Sequence, residues 1–382
     1  MTRKRIKFSQ RSSALSPSPL KEFFKRVKEM ERKGQDILSL GIGDLTVNTD
    51  EKIKEAAVSA IRNNKTHYVP ESGSYDLKKV ISEKCACLPG EVVVSSGAKT
   101  VIAAIFWSLL DKGDEILIPS PYYPPFCEVA KSLGAKIKLV EMINDGFYLT
   151  AKNLEKSIKK GKTTPKVLII NSPNNPTGIE YDKAELRKIV SLSKKYGFII
   201  ISDECYGNYS KGRGFSLRKF SKDVVVINSV SKTYAMTGFR IGWGIMPEEL
   251  AKKVTLYLEN YVGCPNSIAE QASIMALKGK CVRDFDVQRE MIISWLSRLG
   301  IKTPKMDSGL YVFADFSPFI SRQSKIKNSS DLAEYFLSRG VAVTPGTAFG
   351  RYPKHLRVSY CVDPKYLKRA LARLEEALIN MN

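Results

Sequence analysis

The sequence predicts an α/β protein built on a mainly parallel β-sheet covered by helices, with a smaller α+β unit beside it. Three observations carry that prediction. Short β-branched runs alternate with amphipathic stretches, the element order from which βαβ units are made. All of these runs but the one at 136–141 end in, or just before, Pro, Asn or Ser, residues that stop a strand and turn the chain. The chain has 382 residues, 43% hydrophobic and 26% charged, which supplies a sizeable core for two domains, or for one large domain with an appendage.

In chain order, an amphipathic helix is expected over 19–33. Strands are expected at 92–95, 115–118, 136–141, 166–171, 198–202 and 224–228, with helices at 98–110, 123–133, 183–196 and 248–261. After Gly263-Cys-Pro265 a helical pattern runs to about 299 with a break near Gly279, and then the composition resets. A strand at 309–314, a helix at 330–339, strands at 341–344 and 355–360 and a closing helix at 364–381 read as an α+β unit. The segment up to about residue 40 is expected to pack with it. The domain reading is 1–43 as an N-terminal arm and part of the small domain, 44–275 as the large domain, and 276–382 as the small C-terminal domain. No internal repeat or low-complexity tract is present.

Composition excludes several function classes. The longest apolar stretch, 101–110 with one serine, is about half of what a bilayer crossing needs, so no membrane span is expected. No apolar segment follows the basic first twenty residues, so secretion is not expected either. The seven cysteines are scattered without a C-x-x-C pair, and there are two histidines, His67 and His355. That inventory supports neither a zinc site nor a disulfide framework, and a cytoplasmic protein with reduced thiols is expected. Lys+Arg number 61 against Asp+Glu 39, a formal net charge of +22. The lysines lie along the whole chain mixed with acids, as in Lys183-Ala-Glu-Leu-Arg-Lys188, and no basic run is interleaved with aromatics. The expectation is a solvated basic surface with a preference for anionic ligands, and no nucleic-acid partner.

In sheets of this type ligands bind beyond the carboxyl ends of the strands, and four such ends carry candidate residues. Glu91-Val-Val-Val-Ser-Ser-Gly97-Ala-Lys-Thr100 runs from a strand into a helix start, whose free N–H groups suit a phosphate. Asn171-Ser-Pro-Asn-Asn-Pro-Thr-Gly178 is a rigid turn that can hold an asparagine amide at a ligand. Ile201-Ser-Asp203-Glu-Cys-Tyr206 puts an acid at a strand end and a phenol three residues on, although an Asp there can equally be a helix cap. Asn228-Ser-Val-Ser-Lys232 continues to Arg240 and Gly244.

This last segment resembles the active-site segment of the class I and II pyridoxal-phosphate aminotransferases. The resemblance extends in order over nearly the whole chain, through Gly41-Ile-Gly-Asp44, Tyr68-Val-Pro-Glu-Ser-Gly73, Ser96-Gly97-Ala98-Lys99, Pro121-Tyr-Tyr123, the Asn171–Gly178 turn, Ser202-Asp-Glu-Cys-Tyr206 and Leu356-Arg357-Val358-Ser359. It implies a seven-stranded large domain that binds pyridoxal 5'-phosphate, and a homodimer with shared active sites. Lys232 matches the lysine that holds the cofactor as a Schiff base. Asp203 matches the acid beside the pyridine nitrogen, and Tyr206 and Asn175 match the donors to the ring oxygen. Arg240, Ser229, Gly97 and Ala98 match the phosphate donors, and Tyr68 a tyrosine that reaches the neighbouring subunit's phosphate. Tyr123 matches the aromatic stacked on the ring, where close relatives often carry tryptophan.

Arg357 matches the arginine that grips the substrate α-carboxylate, assisted by Asn175 and the backbone near Gly43; without the resemblance it would read as a surface salt bridge on an edge strand. Lys99 matches the lysine by which a prokaryotic aspartate and prephenate aminotransferase subgroup reads a distal carboxylate, and Arg11 falls where that subgroup has an arginine near the substrate. The segment between Val80 and Val92 is several residues shorter than in most relatives. The implied activity is ping-pong transfer of an amino group from an L-amino acid, aspartate-like or aromatic, to a 2-oxo acid such as 2-oxoglutarate. A C–S lyase on the same scaffold is the enzyme alternative, and a cofactor-binding regulator is the alternative from another class. Gly41-Ile-Gly-Asp44 with Gly97-Ala-Lys99 also resembles the diaminopimelate aminotransferases, so the distal specificity stays open.

Overall fold

The computed structural model describes residues 6–15, 19–161, 163–210, 215–281, 285–306, 308–320 and 325–381. Its strands are β1 (Leu38–Ser39), β2 (Val92–Ser95), β3 (Glu115–Ser120), β4 (Lys136–Glu141), β5 (Val167–Asn171), β6 (Ile199–Asp203), β7 (Val225–Ser229), β8 (Gly242–Ile245), β9 (Tyr311–Asp315), β10 (Val341–Ala342), β11 (Thr344–Pro345) and β12 (His355–Ser359). Seven of them form the central sheet in the order β2-β8-β7-β6-β5-β3-β4. All its pairings are parallel except those of β8, which runs antiparallel to both β2 and β7.

Apart from the edge strand β4 the sheet is buried on both faces, which is why most of its strands read as continuous apolar runs. Alternate residues serve opposite layers: Val167, Ile169 and Ile201 pack on one side, and Leu168, Ile170 and Ile200 on the other. Helices cover both layers. Lys183–Tyr196 starts on Asp182, whose Oδ1 accepts from the N–H groups of Ala184 (2.8 Å) and Glu185 (3.0 Å). It ends at Gly197, whose φ of 74° is the left-handed conformation that closes helices.

The register brings several strand ends to one edge. Asn171 pairs with Asp203 and Asp203 with Ile227, while Gly242 pairs with both Ser95 and Ser229. A Cβ on Gly242 would collide with the backbone of Gly97 and Ala98, so this glycine is what lets the turn after β2 lie against β8.

Outside the large sheet, β1 pairs in parallel with β10, and β11, β12 and β9 form an antiparallel sheet in that order. The N-terminal helix Pro19–Arg32 buries Phe23 and Val27. The segment that follows it is tied to the closing helix Pro364–Ile379, where Arg373 donates to the carbonyl and the carboxylate of Asp36, both at 2.8 Å.

The structure departs from the sequence expectations in a few places. Gly242-Trp-Gly-Ile245, where no strand was expected, is a central strand, and its two glycines admit close neighbours on one face, the Gly97–Ala98 backbone at Gly242 and the side chains of Met246, Val101 and Ile227 at Gly244. The expected strand 341–344 is two short pieces in different sheets, β10 and β11. Helices Glu51–Arg62, Tyr75–Cys85 and Ala151–Lys159 also add to the expected set. The segment between Tyr75–Cys85 and β2 borders a cavity of about 930 Å³. Among the described residues no helix is long and apolar enough to cross a membrane.

Candidate active site

At the carboxyl edge of the large sheet lies a cavity of about 180 Å³, lined among others by Ala98, Lys99, Tyr123, Asn175, Asp203, Tyr206, Ser229, Lys232 and Arg240. Asp203 ends β6 and is 5% exposed. Its Oδ1 accepts the Cys205 N–H at 3.1 Å, and among the described residues it has no cationic partner within salt-bridge distance. Burial raises its carboxyl pKa, and the hydrogen bonds from Cys205 offset part of that rise. A buried acid without a cation is the arrangement a protonated ring nitrogen would complete.

The turn after β5 is locked to this strand end. Asn171 Nδ2 donates to the Asp203 carbonyl (3.1 Å) and its Oδ1 accepts the Asn175 N–H (2.7 Å). Asn175 Nδ2 then lies 3.4 Å from the Tyr206 hydroxyl. The 206 phenol is also 3.1 Å from that of Tyr311, and burial pushes its pKa well up. Tyr123 lines the same cavity, packed edge-on against Phe126 at 5.5 Å.

Lys232 sits in the short helix Val230–Thr233 that follows β7. Its carbonyl accepts from the Tyr209 hydroxyl at 2.7 Å, and its Nζ donates to the Gly43 carbonyl. Ser229, the last residue of β7, is buried beside it. Arg240 takes a φ of 60° and is held by the carbonyls of Thr237 (2.9 Å) and Ser96 (3.3 Å). Its guanidinium lies against Gly97, where a Cβ would strike it. The Gly97 N–H donates to the Ser95 carbonyl at 2.6 Å, so the N–H offered at the helix start belongs to Ala98, and Gly97 contributes space and a φ of 90°.

Arg357 is 4% exposed and stands on β12, the middle strand of its sheet. The surface salt bridge on an edge strand is therefore excluded. Its Nη1 donates to Asn175 Oδ1 at 2.9 Å and its Nη2 to the Gly41 carbonyl. The rings of Tyr311 and Phe349 lie 4.4 and 4.8 Å from the guanidinium carbon. No carboxylate pairs with it among the described residues, and its buried Nε has no partner. Lys99, on the first turn of Ala98–Leu109, makes no ion pair among the described residues. Desolvation first, then the charges of Lys21 and Arg240, lower its ammonium pKa.

The set fits pyridoxal phosphate: an acid for the pyridine nitrogen, two donors for the ring oxygen, a lysine, and an arginine with a helix start for a phosphate. Two candidates lie apart from it. Tyr68 is 97% exposed, and Arg11 is exposed in the short helix Gln10–Ser13.

The sequence places Tyr311 in the expected strand at 309–314 and gives it no part in the site. The signal was its pairing partner. Arg357 stands opposite Phe313 in the β12–β9 ladder, so Tyr311, two residues away, shares the face of the arginine.

The family model described as aminotransferase class I and II matches residues 35–374. The chain is 35% identical over 393 residues to the probable aspartate/prephenate aminotransferase of Aquifex aeolicus, covering 97% of this chain and 98% of that protein. It is 31% identical over 390 residues to the aspartate/prephenate aminotransferase of Thermus thermophilus, covering 97% and 98%. The structure of Thermus thermophilus aspartate aminotransferase with maleate superposes with a TM-score of 0.89 at 29% identity, over 98% of this chain and 100% of that one. The chain thus belongs to the class I and II aminotransferases, pyridoxal-phosphate enzymes of fold type I that exchange amino groups between amino acids and 2-oxo acids.

Proposed function

We propose that the chain takes the amino group of a dicarboxylic L-amino acid, aspartate first, and delivers it to a 2-oxo acid such as 2-oxoglutarate. The observation that carries this reading is a pair of cations with no carboxylate beside them. Arg357 and Lys99 have no carboxylate among the described residues, and a substrate with two carboxylates can answer both. The maleate in the Thermus thermophilus structure is such a dicarboxylate.

Pyridoxal phosphate supplies the sink for the electron pair left when the substrate Cα–H bond breaks. The residues here act around it. Lys232 Nζ holds the cofactor and then moves the Cα proton. Asp203 keeps the pyridine nitrogen protonated, Asn175 and Tyr206 donate to the ring oxygen, and Tyr123 covers the ring face. Arg240, Ser229 and the Ala98 N–H hold the phosphate. Arg357 grips the α-carboxylate, with Asn175 and Gly43 beside it, and Lys99 reads the distal one.

The enzyme works as a cytoplasmic homodimer in this reading. Exposed Tyr68 would reach the partner's phosphate, and the partly exposed Trp107, with Tyr257 and Tyr261 at 5.3 and 5.7 Å, offers an aromatic patch for the contact. Lys232→Ala is expected to abolish both the cofactor adduct trapped by borohydride and turnover.

The deciding test is steady-state turnover of aspartate, alanine, phenylalanine and diaminopimelate with 2-oxoglutarate, and of aspartate with prephenate. Aspartate should exceed alanine at least 100-fold in kcat/KM, and Lys99→Ala should remove most of that ratio by slowing aspartate alone, as the loss of one charge-assisted contact requires. Equal use of alanine and aspartate, or a ratio unchanged in Lys99→Ala, would sink the dicarboxylate reading. Release of pyruvate and ammonia from cystathionine without transfer would establish the lyase.

A further inference from the structure

We propose that Tyr311 is a positioning residue of this site: it donates to the Tyr206 oxygen and so leaves the Tyr206 hydrogen free to point at the cofactor's ring oxygen. The inference rests on the reading of Tyr206 as a cofactor donor.

Four side chains close a circuit. Arg357 Nη1 donates to Asn175 Oδ1 at 2.9 Å, which turns the Asn175 amide so that its Nδ2 faces Tyr206 at 3.4 Å. The Tyr206 oxygen is 3.1 Å from the Tyr311 hydroxyl, and the Tyr311 ring lies 4.4 Å from the Arg357 guanidinium carbon. A phenol has a single hydrogen to give. With Asn175 Nδ2 and the Tyr311 hydroxyl both donating to the Tyr206 oxygen, its own hydrogen is directed into the cavity that Tyr206 lines. The opposite arrangement would spend the Tyr206 hydrogen on a neutral phenol, and an anionic ring oxygen is the stronger acceptor.

Tyr311 is built to stay in place. It is 2% exposed, its ring is held by the guanidinium on one side and meets Tyr206 edge-on at 5.7 Å, and its hydroxyl occupies the space where a side chain on Gly43 would begin. Gly43 is thus a glycine because the Tyr311 phenol needs its seat.

The experiment uses four holoenzymes: wild type, Tyr206→Phe, Tyr311→Phe and the double variant. The readout is the pH titration of the bound cofactor's visible absorption. A weaker donor at the ring oxygen lets that oxygen retain the proton on Lys232 Nζ to higher pH, so Tyr206→Phe should move the midpoint up. Tyr311→Phe, which keeps the ring over Arg357, should move it the same way by about half a pH unit, a fraction of one hydrogen bond. The double variant should titrate with Tyr206→Phe, since Tyr311 acts through that phenol. The other titratable groups facing Tyr206, namely Tyr123, Asp203 and Lys232, are the same in all four proteins.

Gly43→Ala, which displaces the Tyr311 hydroxyl, should reproduce the upward shift should Tyr311→Phe fail to accumulate. A wild-type midpoint in Tyr311→Phe beside a shifted Tyr206→Phe overturns the proposal, as does a double variant in which the two shifts add. An unshifted Tyr206→Phe would instead overturn the reading of Tyr206 on which it rests.

Discussion

Replacing Glu204 with glutamine should stabilise the protein in alkaline solution and leave it nearly unchanged in acid. Glu204 follows the site acid Asp203 and is 7% exposed. Its Oε1 accepts from the hydroxyls of Ser202 and Ser216, both at 3.1 Å, and from the Leu217 N–H at 2.8 Å, tying the Asp203–Tyr206 turn to the segment at 216–217. Desolvation outweighs these bonds and pushes its carboxyl from 4.5 up to about 7.

The sign follows from proton binding. Between 4.5 and about 7 the native state holds this proton while the unfolded state releases it, so stability falls as pH rises through that window and is level above it. A shift of about 2.5 pH units at 1.36 kcal/mol each makes the full penalty about 3 kcal/mol. Glutamine carries no charge and can present its carbonyl to the same three donors, so it escapes the penalty. Urea midpoints of both holoenzymes at pH 5.0 and 8.5, with protein and cofactor concentrations fixed, should differ by about 1 kcal/mol or less at pH 5.0 and favour Glu204→Gln by about 3 kcal/mol at pH 8.5. A difference between variant and wild type that does not change with pH would refute the reasoning.

Two further predictions concern the ligand contacts. Arg357→Lys removes the fork that Asn175 and the Gly41 carbonyl hold in position, and kcat/KM for the amino donor should fall about 10²–10³-fold while the pH titration of the bound cofactor's absorption moves little. Gly97→Ala puts a Cβ into the Arg240 guanidinium at a φ of 90°. Its cost of about 1–2 kcal/mol should weaken cofactor binding roughly tenfold, measured by reconstituting the apoenzyme over a range of cofactor concentrations.

Much of the architecture was legible because sheet burial is written in residue type. Lys183–Tyr196 and Glu248–Tyr261 fall on their expected limits, since amphipathic spacing and end residues agree there. Gly242–Ile245 was not legible for the opposite reason: two glycines in four residues erase the strand signal, and the cause is what packs against them, the turn at Gly97–Ala98 on Gly242 and the side chains of Val101, Ile227 and Met246 on Gly244, a tertiary fact. The same holds at the cavity. Asp203 ends its strand and Asn175 and Lys232 follow strand ends within a few residues, where the sheet itself points to chemistry, while Arg240 lies just before β8. Tyr311 comes from the first position of a strand in another sheet, and only the pairing of β9 with β12 reveals its relation to Arg357. The expected pair of N–H groups at 97 and 98 also had a local cause of failure, because the Gly97 N–H is spent on Ser95.

The charge of the chain acquires a local meaning at this cavity. Asp203 is the single acid among its lining residues, against Lys99, Lys232 and Arg240, and Arg357 reaches the same site through Asn175. Cations gathered around so little compensating charge repel one another, and Lys99 registers it: its ammonium is lowered by burial and then by Lys21 and Arg240. Elsewhere some lysines sit in exposed pairs such as Lys188 with Glu185 and Lys195 with Glu155, which contribute little to stability. The site's excess is of another kind, because ligands carrying a phosphate and carboxylates relieve it on binding. It follows that dicarboxylate KM should rise with ionic strength more steeply than monocarboxylate KM, since screening weakens each charge contact the substrate makes; equal slopes for aspartate and alanine would mean that the distal cation does not face the substrate.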